Sequence, residues 1–279
     1  MVILMNITDF FELVNTEEKT HKWTLACHDG ELSPIDELAR VLAIKIMEHR
    51  LKPRLFQAWE SRLNGGEPIS EKIKATIMAF TKPAFGNPGE PDSINIEHLE
   101  GLVSQYLWYF VYKEVSNETI IKEMSPGFKS TDPGGDALLI HRLDDGRLRF
   151  RLWEIKKLVH RNEDATVSTN STISRAYEQL RSNALEYLAR YTSIGQELDP
   201  ELSDFFGNLV EMWLDATPEA SAGVSINTSE VCIGPNSFHD FGEKFPEFIE
   251  PVRLLGMITA VEDFGLFSSK VQEFVWKGL

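Results

Sequence analysis

The chain has 279 residues, 42% of them apolar and 25% charged, the proportions of an ordinary folded protein rather than a disordered or fibrous one. Its two cysteines, Cys27 and Cys232, are far apart and have no paired spacing, which excludes a disulfide framework and a cysteine zinc site. With 43 Asp and Glu against 28 Lys and Arg, the net charge is −15 at pH 7, a balance that repels a polyanion.

No run approaches the length of a membrane span. Met1 to Met5 is apolar but too short for a secretion signal and lacks its basic flank. A cytoplasmic location away from any membrane is therefore expected, and the cysteine usage fits a reducing compartment.

Residues 1–90 are expected to form an N-terminal, largely helical region with no catalytic constellation, a possible docking module. Ser33-Pro34-Ile35-Asp36 is a helix start with a cap, Pro in the first turn and a following acid. That helix runs through Leu38, Leu42 and Ile46 to about His49. Glu71 to Phe80 is a second, shorter helix. Lys82-Pro83 to Pro91-Asp92 is dense in Pro and Gly and marks a boundary, so that residues 91–279 form the main domain.

Ile96 to Trp108 opens a helix, with Leu99, Val103, Tyr106, Leu107 and Phe110 at helical spacing. The stretch from Pro133 to Lys157 carries the chemistry. Asp136 opens one apolar run, Leu138 to Ile140, and Glu154 and Lys156 end a second run that begins at Leu148. Asp144-Asp145-Gly146 between them is a hairpin-turn signal. Strand side chains alternate, so Glu154 and Lys156 share a face and Ile155 takes the other. A Glu-x-Lys triplet alone carries little information, and another occurs at Glu17-Glu18-Lys19 in a polar stretch without strand pattern. The combination with Gly-Gly-Asp and a hairpin is what carries weight. Two convergent carboxylates and an ammonium suit metal-assisted phosphodiester cleavage. Mg²⁺ prefers hard oxygen ligands and takes one or two protein carboxylates, and a lysine beside it stabilises charge developing on the phosphate.

Arg161 to Ser171 is polar and is expected as a loop. A helix follows from about Ser174 to Tyr191. Leu202 to Leu214 reads as a helix, Ala222 to Ile233 as a strand or hairpin, Pro246 to Val252 as a short helix, Leu254 to Val261 as an apolar strand, and Ser268 to Trp276 as a closing helix.

At Asp136, Glu154 and Lys156 the chain resembles the PD-(D/E)xK nuclease superfamily. The resemblance covers roughly residues 94–195. It implies an α/β fold, a restriction-endonuclease-like mixed sheet flanked by helices in the order αβββαβ. It also implies Mg²⁺ (or Mn²⁺) held by Asp136 and Glu154, with Lys156 as charge stabiliser. A glutamate on the preceding helix completes the metal shell in many members. Glu100 is the candidate and Glu97 the fallback, although either is equally a first-turn acid favoured by the helix dipole. A glutamine on the following helix maps onto Gln179. Some exonuclease relatives carry Gln-x-x-x-Tyr there, and Asn183 in place of the tyrosine argues against that branch. The layout is similar to nuclease subunits of bacterial anti-phage systems of the Hachiman type, in which a small nuclease partners a helicase.

The charge is unevenly spread. From Lys129 to Arg161, 8 basic residues face 5 acids, a local balance of +3, so the remainder carries −18. Lys129, Lys157 and Arg161 are the candidate nucleic-acid contacts. Arg149 and Arg151 belong either to that basic patch or to a solvated hairpin face, and His141 is expected at the surface. From Gln196 onward, 15 acids face 4 bases, which suits docking on a basic partner. No Gly-x-x-x-x-Gly-Lys-Ser/Thr loop exists, so a helicase or ATPase motor would be a separate subunit. The expected function is a metal-dependent DNA endonuclease within such a complex. The alternatives are an inactive scaffold on the same fold, or an RNase.

Overall fold

A computed structural model describes residues 5–28, 30, 33–124, 137–159, 168–198 (side chains to 195), 202–231 and 233–279. In chain order the elements begin with strands β1 (Phe11–Glu17) and β2 (Lys22–His28). Helices α1 (Ile35–Arg50), α2 (Pro53–Leu63), α3 (Glu71–Phe85) and α4 (Ile96–Val115) follow. Strands β3 (Thr119–Met124), β4 (Ala137–Arg142) and β5 (Leu148–Leu158) come next, then α5 (Thr169–Leu198), α6 (Ser203–Gly207) and α7 (Leu209–Leu214). The chain closes with β6 (Ala220–Thr228), α8 (Phe241–Lys244), β7 (Leu254–Ala260) and α9 (Phe264–Lys277).

The seven strands make one mixed sheet in the order β1-β2-β7-β6-β5-β4-β3. Strands β2, β7, β6 and β5 run parallel, while β1, β4 and β3 add antiparallel neighbours at the two sides. The fold is therefore α/β, with helices on both faces of the sheet. From α4 the order is helix, a three-strand meander, helix, then a strand parallel to the last of the meander. Two short helices, α6 and α7, precede that strand. The sequence expectation of one helix over Leu202 to Leu214 is corrected to this pair, broken at Asn208. Likewise the expected helix after Pro246 is a single 3-10 turn, Pro246–Phe248.

Residues upstream of 90 are not only helical. They contribute β1 and β2, and β2 pairs with β7. The turn around Glu18 joins these strands, so the second Glu-x-Lys triplet begins at the end of β1. Pro83 lies inside α3, which ends at Gly86 with φ 71°. Among the described residues no helix is long and apolar enough to cross a membrane.

Alternation along β5 sorts its side chains between two cores. Arg149, Arg151, Trp153, Ile155 and Lys157 point toward α4, and Trp108 and Tyr112 of α4 pack their rings on Trp153 at 5.1 and 4.9 Å. Phe150, Leu152, Glu154, Lys156 and Leu158 point toward α5, where Phe150, Leu152 and Leu158 join Ile173, Tyr177 and Leu180. Helix α4 is apolar nearly all round because the sheet lies on one side and α1 and α9 on the other. The β4–β5 connection is closed by Leu143 N–H donating to the Arg147 carbonyl at 2.8 Å, with Gly146 at φ 84°. This is a three-residue hairpin loop with glycine in the left-handed region.

Strand β6 is buried along its whole length, as expected in a sheet covered on both faces. Its α4 side carries small residues, Ser221, Gly223 and Ser225, which make room for the aromatic layer. A Cβ on Gly223 would overlap the Trp153 indole, itself fully buried. Gly223→Ala is expected to destabilise the protein by about 1–3 kcal/mol, as overpacking does. Urea unfolding with an unchanged slope and a lower midpoint is the measurement.

Candidate active site

Glu154 and Lys156 stand two residues apart on the α5 face of β5, in register with Val224 and Ile226 of β6. The neighbours on that face are Leu152, Leu158, Val224 and Ile226, all buried hydrophobics. Glu154 is fully buried, and Lys156 Nζ lies 2.5 Å from its Oε1. The lysine keeps 27% of its side chain exposed, so the pair forms a buried carboxylate with a half-exposed ammonium at its mouth. An ionised carboxylate is costly to bury on an apolar face without a compensating charge, and Lys156 supplies one.

The other sequence candidates fall differently. Asp136, Lys129 and Arg161 lie outside the described residues. Asp136 immediately precedes Ala137, whose antiparallel partner is Trp153, the neighbour of Glu154. Gln179 is half-buried on α5, and its amide donates to the Tyr187 hydroxyl at 3.4 Å, beside the same contact from Asn183 at 3.1 Å. These two amides hold a tyrosine on their own helix.

Glu100 is 1% exposed on α4 and receives Lys157 Nζ at 2.5 Å. Lys157 also reaches Glu97 at 2.5 Å. Both glutamates therefore gather around the lysine that projects from β5 toward α4, the face opposite Glu154 and Lys156. As a nucleic-acid contact, Lys157 already holds two carboxylates. Among the described residues no group of three or more His, Cys, Asp or Glu side chains is arranged to hold a metal ion. Glu154 offers a described carboxylate on the α5 face.

The arginines expected at the hairpin surface are interior. Arg151 is fully buried and donates to Tyr112 Oη (2.5 Å), Glu118 Oε2 (2.7 Å) and the Val252 carbonyl (2.9 Å). Arg149 is 8% exposed and reaches Glu118 Oε1 and the Pro218 carbonyl, each at 3.3 Å. His141, expected at the surface, is fully buried beside them with Nδ1 3.5 Å from Glu118. The physical reason is that α4 covers this face, so outward alternation on β5 still points into a core.

Burial lowers the pKa of His141 from its ordinary 6.5 to about 3, assisted by the Arg151 and Arg149 charges and opposed by Glu118. Burial raises that of Glu118, but Arg151, His141 and Arg149 outweigh it and bring the carboxyl from 4.5 to about 2. Both folded values are depressed, so both contributions to stability are complete above the unfolded pKa and are lost as pH falls. His141 acts between 6.5 and about 3, and Glu118 between 4.5 and about 2. The expected result is a urea midpoint that begins to fall below pH 6.5, with about 2 kcal/mol lost to His141 by pH 5. His141→Phe should flatten the curve between pH 6.5 and 4.5. A parent curve already flat there would contradict the assignment.

One position near the candidate site escaped the sequence reading. Glu230, just past β6, accepts the Thr169 N–H at 3.0 Å and the Thr169 hydroxyl at the start of α5. A carboxylate at a helix N-terminus satisfies an orphan donor and complements the dipole. It ties α5 to the carboxyl end of β6, beside the strand that carries Glu154. The Ser/Thr-rich run before the helix was the available signal, but its partner is about 60 residues away. No protein-family model matches the chain, and no curated protein sequence matches it.

Proposed function

We propose that this protein is a metal-dependent nuclease of the PD-(D/E)xK type, in which Glu154 and Lys156 are the working residues of β5. The observation that carries the reading is the fully buried Glu154 carboxylate with the Lys156 ammonium 2.5 Å away, on one face of a strand in a helix–meander–helix–strand arrangement. Glu154, with Asp136 from the adjoining strand sequence, would hold Mg²⁺ or Mn²⁺, a set of hard oxygen ligands that suits either ion. The ion, when bound, supplies Lewis-acid polarisation of the phosphate and acidifies a water. Lys156, half-exposed at the mouth of the pair, neutralises charge developing on the scissile phosphate and orients the attacking water.

The charge distribution supports a partnered enzyme. Of the eight basic residues between 129 and 161, Arg147, Arg149, Arg151, Lys156 and Lys157 are all engaged by carboxylates. Among the described basic residues of this stretch, Arg142 alone forms no carboxylate pair, and affinity for phosphates grows with the number of basic contacts. A separate helicase or ATPase subunit that delivers DNA would supply them, as in the anti-phage assemblies that the sequence resembles. The same shortage favours the second reading, a scaffold subunit on an inactive nuclease fold.

The test is a cleavage assay on single- and double-stranded DNA and on RNA. It is run in Mg²⁺, Mn²⁺ and EDTA, with the chain alone and with the proteins that co-purify from its host. Metal-dependent cutting that Glu154→Gln removes supports the proposal, and the preferred polymer separates a DNase from an RNase. Absence of cutting in the complete complex would leave the scaffold reading.

A further inference from the structure

The two edges of the sheet are built differently. Edge strands present unpaired backbone groups, and proteins blunt them with bulges, lysine, proline or short length. Strand β3 is blunted: its register with β4 shifts between Ile120 and Lys122, and it carries that lysine. Strand β1 has none of these devices. It runs for seven residues without Pro or Lys, in unbroken register with β2. Its middle is apolar and open to solvent on both faces. Leu13 is 38% exposed on the α1 side, opposite Ala26, and Val14 is 46% exposed on the α5 side, opposite Leu25.

Parity fixes which backbone groups of β1 are free. At the turn, Glu18 N–H donates to the His21 carbonyl at 2.9 Å, so these two residues are a directly bonded pair. Bonded pairs alternate along an antiparallel ladder, so Thr16, Val14 and Glu12 bond to β2. Phe11, Leu13, Asn15 and Glu17 therefore turn their N–H and C=O groups outward. The Phe11 N–H is taken by the Thr8 carbonyl at the end of the 3-10 turn Ile7–Phe10. For Leu13, Asn15 and Glu17, no described residue supplies an outer backbone partner.

Three antiparallel registers with a second β1 use these outward groups with the greatest overlap, and charge chooses among them. Centred on Leu13, the pairing sets Glu17 opposite Asp9. Centred on Asn15, it sets Glu12 opposite Glu18. Centred on Val14, it sets Glu12 opposite Thr16 and Glu17 opposite Phe11, and it brings the exposed Lys19 toward the exposed Asp9 of the other copy. Like charges directly opposed destabilise a strand pair, and opposite charges stabilise it. In the Val14 register the apolar middles also coincide, and Leu13 exchanges both backbone bonds with Asn15 of the other copy.

We propose that a second copy of this chain pairs on this edge, β1 against β1, antiparallel about a two-fold axis at Val14. The two seven-stranded sheets then continue as one. Such a joint uses the same patch on both copies and closes at two, and the bulged β3 edge takes no part. Strand β5, which carries Glu154 and Lys156, is fifth from the joint, so the candidate site is not covered. The proposal does not rest on the nuclease reading, because mass is measured without cleavage.

Sedimentation velocity of the full chain at micromolar concentrations should show a species of twice the 31.7 kDa chain mass. Leu13→Pro removes an outward N–H while the β1–β2 bonds stay, a place where edge strands accept proline. Val14→Lys sets two ammonium groups face to face at the axis. Each variant should sediment as a monomer with the circular dichroism of the parent. On mild oxidation Val14→Cys should form a disulfide-linked dimer that the parent chain does not form. Non-bonded antiparallel pairs hold their Cα atoms about 4.5 Å apart, within the range of a disulfide. Glu12→Cys alone should not cross-link, because Thr16 lies opposite it, whereas Glu12→Cys mixed with Thr16→Cys should. A parent chain that stays monomeric at tens of micromolar, a dimer left intact by both Leu13→Pro and Val14→Lys, or cross-linking of Glu12→Cys but not of Val14→Cys would each overturn the proposal.

Discussion

Glu154→Gln is expected to abolish the proposed metal-dependent cleavage while leaving the melting temperature little changed. The amide keeps the shape of the side chain but removes the charge and the hard anionic ligand that a divalent ion requires. Stability should not suffer, because Glu154 sits on an apolar face beside Leu152, Val224 and Ile226. Removing one partner of an ion pair is costly only where the other charge stays buried, and Lys156, with 27% of its side chain exposed, can turn its ammonium to water. Lys156→Ala should lower the rate about 10²- to 10³-fold, the range for loss of one preorganised charge stabiliser. The combination of lost activity with retained stability is what separates a working site from a structural pair. If Glu154→Gln cut nucleic acid at the parent rate in Mg²⁺, the assignment would fail. So would a large drop in melting temperature with activity intact, since the pair would then serve the fold.

The parts of the fold that were legible are those where one local rule decided the outcome. The β4–β5 hairpin was readable because Asp-Asp-Gly supplies the left-handed glycine at its tip, and the Leu254 strand because its apolar run has a strand's length. Strand β1 was not, because it is an edge: Leu13 and Val14 are adjacent and both more than a third exposed, so no alternation marks a buried face. Strand β3, Thr119–Met124, lies at the other edge and is half-buried along most of its length, with the same loss of signal. The site was half legible. Glu154 and Lys156 share a face by strand parity alone. Placing Glu100 requires knowing which face α4 covers, and the charge partner that buries Arg151 is 33 residues away at Glu118. Alternation on a strand tells which residues travel together. It does not tell whether a face meets water, and here both faces of β5 are covered.

That buried network sets the largest expected effect on stability. Glu118→Ala should destabilise the protein by about 3–5 kcal/mol, the range for breaking a buried ion pair from one side. The carboxylate lies between the Arg151 guanidinium at 2.7 Å and that of Arg149 at 3.3 Å. Once it is gone, Arg151 retains Tyr112 and the Val252 carbonyl but, among the described residues, no opposite charge in contact, and being fully buried it cannot turn to solvent. Replacing Glu118, Arg149 and Arg151 together by apolar residues of similar volume should recover most of the loss, because the penalty comes from charges left unpaired rather than from a pair that is worth much in itself. Urea unfolding of the single and triple variants measures both effects. The network lies at the start of β5, whereas Glu154 and Lys156 lie toward its end, so any Glu118→Ala protein that remains folded should keep the proposed metal-dependent activity. A single variant as stable as the parent would mean that water reaches these arginines and that the face beneath α4 is not closed.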